Sequence, residues 1–261
     1  MKIQRGMSAL VTGGSSGMGL EYARQLAARG CCLLLVSNQG YALETVREEL
    51  HSQYGVEVLV HCMDLAAPSS ADDLFSFCQA CGFEADLLVL NAGMFFFKEL
   101  QLPEDRRRVD AMLELHVSTP TRLCLLFSEG MKRRGRGAIL IVSSMTAKLP
   151  TPGITLYAAT KTYLRSFGKS LWFEYRPYGV DVTTICPAAV ATPLYGIKPG
   201  LMRAGLRLGL IRTPEWLVRR ALRSVERRRR VVSPGLMNYL VPALVRLLPA
   251  GIESKLWKRF K

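Results

Sequence analysis

Two segments carry residue types at spacings that chemistry can use. In "TLYAATKTYLRSF", Tyr157 precedes Lys161 by four residues and Tyr163 follows it by two. A spacing of four puts Tyr157 and Lys161 on one helix face, and a cation beside a phenol favours its ionised form. The same pair also occurs on ordinary helices, so spacing alone leaves both readings open. In "TGGSSGMG", Thr12 to Gly19, glycines stand at 13, 17 and 19. Gly13 and Gly17 let a backbone turn and approach a pyrophosphate, and Gly19 lets a helix pack closely on a sheet. A helix N-terminus there offers free N–H groups and positive potential to phosphate. With Gly14, Ser15 and Ser16 inside it, the same stretch also suits a plain turn.

These segments need a scaffold, and the flanking pattern supplies one. "SALVT" (8–12) reads as a strand and is followed by a helix over 17–29. Strands at 33–37, 57–62 and 86–91 alternate with helices at 41–54 and 71–81. A long helix over 106–130, a strand at 138–144, a helix at 157–175 and a strand at 180–186 follow. A helix at 214–227 and a short strand at 231–233 complete the order. The strands are Val, Ile and Leu runs without polar alternation, as expected for a parallel sheet covered on both faces. The β-α-β rhythm implies right-handed crossovers and a doubly wound α/β fold. Its ligand crevice belongs at the carboxyl ends of the strands. No repeat or low-complexity linker interrupts the pattern, so residues 1–261 read as one domain.

Composition agrees with a globular enzyme-sized chain: 261 residues, 49% hydrophobic and 21% charged. No apolar run approaches a membrane span, and "MSALVTGG" is too short for a leader's apolar core. Seven cysteines form no disulfide framework. Cys78 and Cys81 make a lone CxxC without a second pair or a histidine cluster, so no metal site is expected. A reducing, cytoplasmic setting follows. The net charge of +14 is uneven: residues 198–261 hold 16 Lys/Arg against 3 Asp/Glu. That points to one basic surface acting on an anionic partner.

The motifs together resemble the short-chain dehydrogenase/reductase family in its single-domain, NAD(P)-using form. Its TGxxxGxG is met by Thr12, Gly13, Gly17 and Gly19; its NNAG appears as "LNAG", with Asn91, Ala92 and Gly93. Its YxxxK is Tyr157 and Lys161, and Ser144 lies thirteen residues before that tyrosine, as in the family. Asp64 matches the acidic residue that caps the adenine, and Pro187 and Thr192 match PGxxxT. The resemblance, from about residue 7 to 195, implies a Rossmann-type sheet with a C-terminal helical extension. It implies a cofactor site built from Gly13, Ser15, Ser16, Gly17, Met18 and Gly19 of the first loop. Ser37, Asn38, Asp64 and Leu65 would border the adenosine, and Asn91, Ala92 and Gly93 the fourth-strand loop. Pro187, Val190 and Thr192 would close the nicotinamide side. It further implies hydride transfer between nicotinamide and a carbonyl or carbinol carbon. Tyr157 would exchange the proton, Lys161 would lower the phenol's pKa from about 10 and hold the ribose, and Ser144 would donate to the substrate oxygen.

Three positions depart from the family. His116, in "ELHVST", stands where the catalytic asparagine would be; it either joins the proton path or packs structurally. Ala188 replaces the glycine after Pro187 and loses that residue's freedom at positive φ. After the second strand, "VSNQG" carries neither the acid that favours NAD nor an arginine for a 2′-phosphate. NADP(H) is the preferred reading there, with NAD(H) the alternative.

A substrate lid is expected at about 190–212, rich in Leu, Met and Ile, and a basic extension at about 234–261. With "MFFF" at 94–97 they imply a bulky apolar substrate: a steroid, a 3-ketoacyl compound or a long-chain ketone. The extension, with Trp257 and Phe260, suits a membrane interface with anionic lipid, a dimer partner or a cover for the pocket. A homodimer or homotetramer follows from the resemblance. Two other readings are a cofactor-binding scaffold without turnover and a nucleic-acid binder. No aromatic platform accompanies the arginines, which argues against nucleic acid.

Overall fold

The structure is a computed structural model and describes residues 1–97, 104–149, 153–192, 194 and 199–246. Seven parallel strands form one sheet: β1 (Ser8–Thr12), β2 (Cys32–Ser37), β3 (Val58–Cys62), β4 (Leu87–Leu90), β5 (Gly137–Val142), β6 (Val180–Ile185) and β7 (Val231–Val232). Their order is β3-β2-β1-β4-β5-β6-β7, and the order reverses direction between β1 and β4. Successive side chains of a strand point to opposite faces, so both faces need an apolar cover. Ala9 and Val11 of β1 join a core beneath α1 (Gly17–Ala27), α2 (Gly40–Tyr54) and α8 (Pro214–Glu226). Leu10 between them joins the opposite core, beneath α3 (Ser70–Ala80), α5 (Thr119–Arg133) and α6 (Thr155–Tyr175). Double coverage explains why the strands lack polar alternation.

The long helix expected at 106–130 is not continuous. Helix α4 (Arg106–Leu113) passes through one wide π turn, Glu114–Ser118, before α5 begins. The Thr119 N–H reaches back to the Glu114 carbonyl, five residues earlier. Pro120 explains the change. It has no N–H to give to the His116 carbonyl, and in a regular α-helix its ring would collide with that group. Widening the turn relieves the collision and places the buried His116 inside it. The sequence reading ran the helix through this proline.

Two further helices lie in the segments read as lid and extension: α7 (Pro199–Arg207) and α9 (Met237–Arg246). Residues 193 and 195–198 of the lid, and 247–261 of the extension with Trp257 and Phe260, lie outside the described residues.

Candidate active site

The ends of β1 and β4 are cross-linked at the point where the strand order reverses. The Asn91 and Ala92 backbone N–H groups donate to the Thr12 hydroxyl at 2.9 and 3.0 Å, and Asn91 Nδ2 donates to the Thr12 carbonyl at 3.0 Å. A cleft of about 530 Å³ opens there. Its floor is the turn Gly13–Met18; Ser37, Asn38 and Gln39 border one end with Asp64 and Leu65; Asn91, Ala92, Gly93 and Thr192 border the other.

Several features fit a dinucleotide. Gly13 and Gly17 hold left-handed φ values of 69° and 54°, which brings the turn's backbone to the cleft without side chains in the way. A Cβ on Gly19 would run into the Gly13 carbonyl, so only glycine lets α1 start this close to the sheet. Asn91 Oδ1 is buried beside the cleft with no partner among the described residues, which leaves an acceptor for a ligand's donor. Asp64 accepts the Ala66 N–H at 3.0 Å and is the only charged side chain lining the cleft among the described residues.

A smaller pocket of about 40 Å³ adjoins it, sharing Met18, Asn91, Gly93, Met94 and Leu194. Ser144, Tyr157, Lys161, Pro187 and Val190 line it. Strand β5 delivers Ser144 just past its end, and α6 delivers Tyr157 and Lys161 one turn apart. The two elements are stapled: Ser143 Oγ donates to the Lys161 carbonyl at 2.7 Å, and Lys161 Nζ donates to the Val142 carbonyl at 3.1 Å. Ser144 Oγ accepts the Thr146 N–H at 3.2 Å. All three side chains are buried, and Lys161 Nζ lies 5.6 Å from the Tyr157 ring centre. Burial pushes the Lys161 ammonium down to about 8.

His116 is fully buried beside this group, its ring 5.7 Å from that of Tyr157. The Met94 N–H donates to His116 Nε2 at 3.0 Å. That bond requires an unprotonated Nε2, so Nδ1 carries the hydrogen and donates to Thr160 Oγ1 at 3.0 Å. The Thr160 hydroxyl in turn donates to the Tyr157 carbonyl at 2.9 Å. Burial, and then the nearby Lys161 charge, hold the imidazole well below its ordinary value and therefore neutral. With both nitrogens engaged, the packed, structural reading of His116 accounts for its contacts.

The other departures also resolve. Arg228 is the only non-glycine residue with left-handed φ among the described residues, so Ala188 needs none of glycine's freedom. At the "VSNQG" turn, Ser15 and Ser37 hydroxyls lie 2.8 Å apart and Gln39 Oε1 accepts from Ser15 at 3.3 Å. Tyr163 does not line the pocket of Tyr157 and Lys161: it bonds Thr121 at 2.8 Å and stacks on Phe167. Sequence reasoning missed Thr160, Ser143 and Leu194, while Met94 of "MFFF" does line the cleft. Thr160 and Ser143 sit next to motif residues, but only their partners across the fold reveal a use for them.

Comparison with known proteins adds independent findings. Residues 7–198 match the short chain dehydrogenase family. The very-long-chain 3-oxoacyl-CoA reductase of Homo sapiens is 32% identical over 252 residues, covering 95% of this chain and 77% of that protein. The 17-beta-hydroxysteroid dehydrogenase type 3 of Danio rerio is 31% identical, covering 73% and 63%. A short-chain dehydrogenase from Sphingobium yanoikuyae, solved in complex with NADPH, superposes with a TM-score of 0.77 at 27% identity, covering 94% and 97%.

Proposed function

The chain belongs to the short-chain dehydrogenase family and is an NAD(P)(H)-dependent oxidoreductase acting between a carbonyl and a secondary alcohol; from that premise we propose that it reduces a long-chain 3-oxoacyl compound. One observation carries the substrate class. Tyr157 forms an apolar cluster with Met112 and Ile154, and Met94, Phe95, Phe96 and Leu156 pack against it. The Phe95 ring meets the Tyr157 ring edge-on at 5.1 Å. A reacting carbonyl next to that wall belongs to an apolar molecule, because burying hydrocarbon there is favourable and burying an unpaired polar group is costly. The similarity to 3-oxoacyl and hydroxysteroid enzymes supports the same class, and the steroid relative keeps a steroid ketone as the second reading.

In this reading the Tyr157 hydroxyl gives its proton to the substrate oxygen during reduction and recovers it in the reverse direction. The Lys161 charge favours the phenolate that this exchange creates. The Ser144 hydroxyl donates to the same oxygen and stabilises charge developing there. The bound nicotinamide supplies or takes up the hydride. The turn Gly13–Gly19 and the start of α1 would hold its pyrophosphate, Asp64 and Leu65 would border its adenine, and Lys161 has N–H donors left for its ribose. His116 acts on Tyr157 as a positioning residue, through Thr160 and through the edge of its ring.

NADP(H) is the preferred cofactor. No carboxylate stands among Ser37, Asn38 and Gln39 to repel a 2′-phosphate, and their hydroxyl and amide groups can donate to it. The family's oligomers pair their long helices, and a homodimer or homotetramer is proposed on that ground. The basic extension, 234–261, is proposed to touch a membrane surface from the cytoplasmic side. The test is NADPH consumption with 3-oxoacyl thioesters of increasing chain length, steroid ketones and long-chain ketones. kcat/KM rising with acyl length supports the proposal; turnover of short, polar ketones alone sinks it.

A further inference from the structure

Helix α9 is apolar on both sides: Pro242 is buried, Met237, Val241 and Val245 are half-buried, and a second apolar row faces outward. Its inward side carries Asn238, fully buried, whose Nδ2 donates to the Pro234 carbonyl. Its outward side, with the turn before it, carries Leu236, Tyr239, Leu240, Ala243 and Leu244, all exposed. Those positions recur at i, i+3, i+4, i+7 and i+8, the spacing of one continuous helix stripe. In most surface helices that stripe faces the core; here Leu236 and Leu244 are 64% and 62% exposed. Helix α7 repeats the arrangement. Leu201, Ala204 and Leu208 form an exposed stripe at i, i+3 and i+7, flanked by exposed Arg203 and Arg207. Gly205 faces inward against Ile211, where a Cβ would press on the isoleucine side chain.

Helix α9 and the segment that follows α7 are bonded to loops at the pocket of Tyr157 and Lys161. On one side, Lys148 of the short helical turn after Ser144 donates to the Asn238 carbonyl at 3.1 Å. Its ammonium also lies 4.9 Å from the Tyr239 ring centre. On the other side, the Ala191 N–H donates to the Arg212 carbonyl and the Arg212 N–H to the Ala189 carbonyl. Those bonds tie the segment after α7 to the loop that carries Val190. The two stripes therefore belong to the elements that frame the mouth of the site.

We infer that the outward faces of α7 and α9 dock this protein on an anionic lipid surface, with its active-site mouth toward the bilayer. This rests on the proposed long acyl substrate, whose chain would then pass from lipid to pocket without crossing water. Charge selects lipid over a second copy of the chain. Neither helix carries an acidic residue, and residues 198–261 hold 13 more basic than acidic groups. Two copies of so basic a segment repel each other, whereas phosphatidylglycerol or phosphatidylserine headgroups attract it. Apolar stripes beside arginines are the composition of helices that lie in the interface plane. Among the described residues no helix is long and apolar enough to cross a membrane, so the contact is on the surface.

The test is flotation of the full chain with vesicles of phosphatidylcholine alone or with one third phosphatidylglycerol. It compares wild type with Leu240→Gln/Leu244→Gln and Leu201→Gln/Leu208→Gln. These side chains are exposed, so unchanged melting temperatures serve as a control for both variants, and unchanged NADPH turnover of a water-soluble ketone for the α9 variant. Expected are binding to the anionic vesicles, loss by about tenfold or more in each double variant, weakening at high salt, and slower turnover only of vesicle-borne acyl substrate. Absence of flotation overturns the inference. So does flotation that neither variant reduces, which would assign the contact to residues 247–261. A dimer that dissociates in the variants while vesicle binding is absent would instead assign the stripes to a second copy. The soluble-ketone assay keeps failure here separate from failure of the enzymatic reading.

Discussion

His116 Nδ1 lies 3.0 Å from the Thr160 hydroxyl, which donates to the backbone carbonyl of Tyr157. The π turn thus grips the start of α6, the helix of Tyr157 and Lys161, through one side chain. The opposite ring nitrogen takes the Met94 N–H, so the same imidazole also holds the loop leading to the apolar wall.

That grip predicts a graded response at Thr160. Thr160→Val removes the donor to Tyr157 and the acceptor for His116, and kcat should fall by about tenfold or more as the phenol loses its placement. The cofactor dissociation constant should stay unchanged. Thr160→Ser keeps the hydroxyl and should restore kcat; an equal loss in both variants would mean that the methyl packing, and not the bond, matters.

A buried neutral histidine has a signature in acid. His116 titrates below its unfolded value, so under pH 6.5 the unfolded chain takes up a proton that the native protein refuses. Stability then falls as pH drops, by at most about 1.4 kcal/mol per pH unit from this group. Urea unfolding at pH 7 and 5.5 should show a shallower loss in His116→Asn than in wild type. The kcat/KM profile should keep its shape in that variant; a limb near pH 6.5 that His116→Asn abolishes would return the imidazole to the proton path.

Lys161 predicts the alkaline side. Its ammonium discharges near 8 in the free enzyme, so kcat/KM should decline above that pH as the phenol loses its cation. Lys161→Arg keeps the charge at high pH and should remove this limb, even with a lower maximum. The same depressed value makes native stability rise with pH between about 8 and 10.5, where only the unfolded chain holds the proton. A kcat/KM limb left in place by Lys161→Arg would assign it elsewhere.

Tyr157→Phe should bind NADPH as wild type does, read by cofactor fluorescence, and lose turnover by at least about a hundredfold. Turnover within a few-fold of wild type would remove Tyr157 from the chemistry.

Cofactor choice is testable at Ser37, which lines the cleft and contacts Ser15. Ser37→Asp adds the carboxylate that binds a ribose 2′-OH and repels a 2′-phosphate. The ratio of NADPH to NADH dissociation constants should rise by about tenfold or more; an unchanged ratio would place the 2′-phosphate away from this turn.

Much was legible in the chain itself. Unbroken Val, Ile and Leu runs alternating with helical periods can only be buried on both faces, which yields a parallel, helix-covered sheet. Glycine spacing after β1 and the order of Asn91, Ser144, Tyr157 and Lys161 pointed to residues that the fold brings together around one cleft and its adjoining pocket, because backbone approach to phosphate and a helix turn impose spacings that sequence records. What spacing cannot record is a partner on another element. The role of His116 depended on Met94 and Thr160, which lie 22 and 44 residues away in the chain, and on a π turn forced by Pro120. The same limit left α9 with three readings in the sequence: a membrane interface, a dimer partner or a cover for the pocket. Its leucines have the period of an ordinary amphipathic helix, and only the fold, which buries Asn238 and Pro242 beside the loop of Lys148, decided which of its apolar sides faces out.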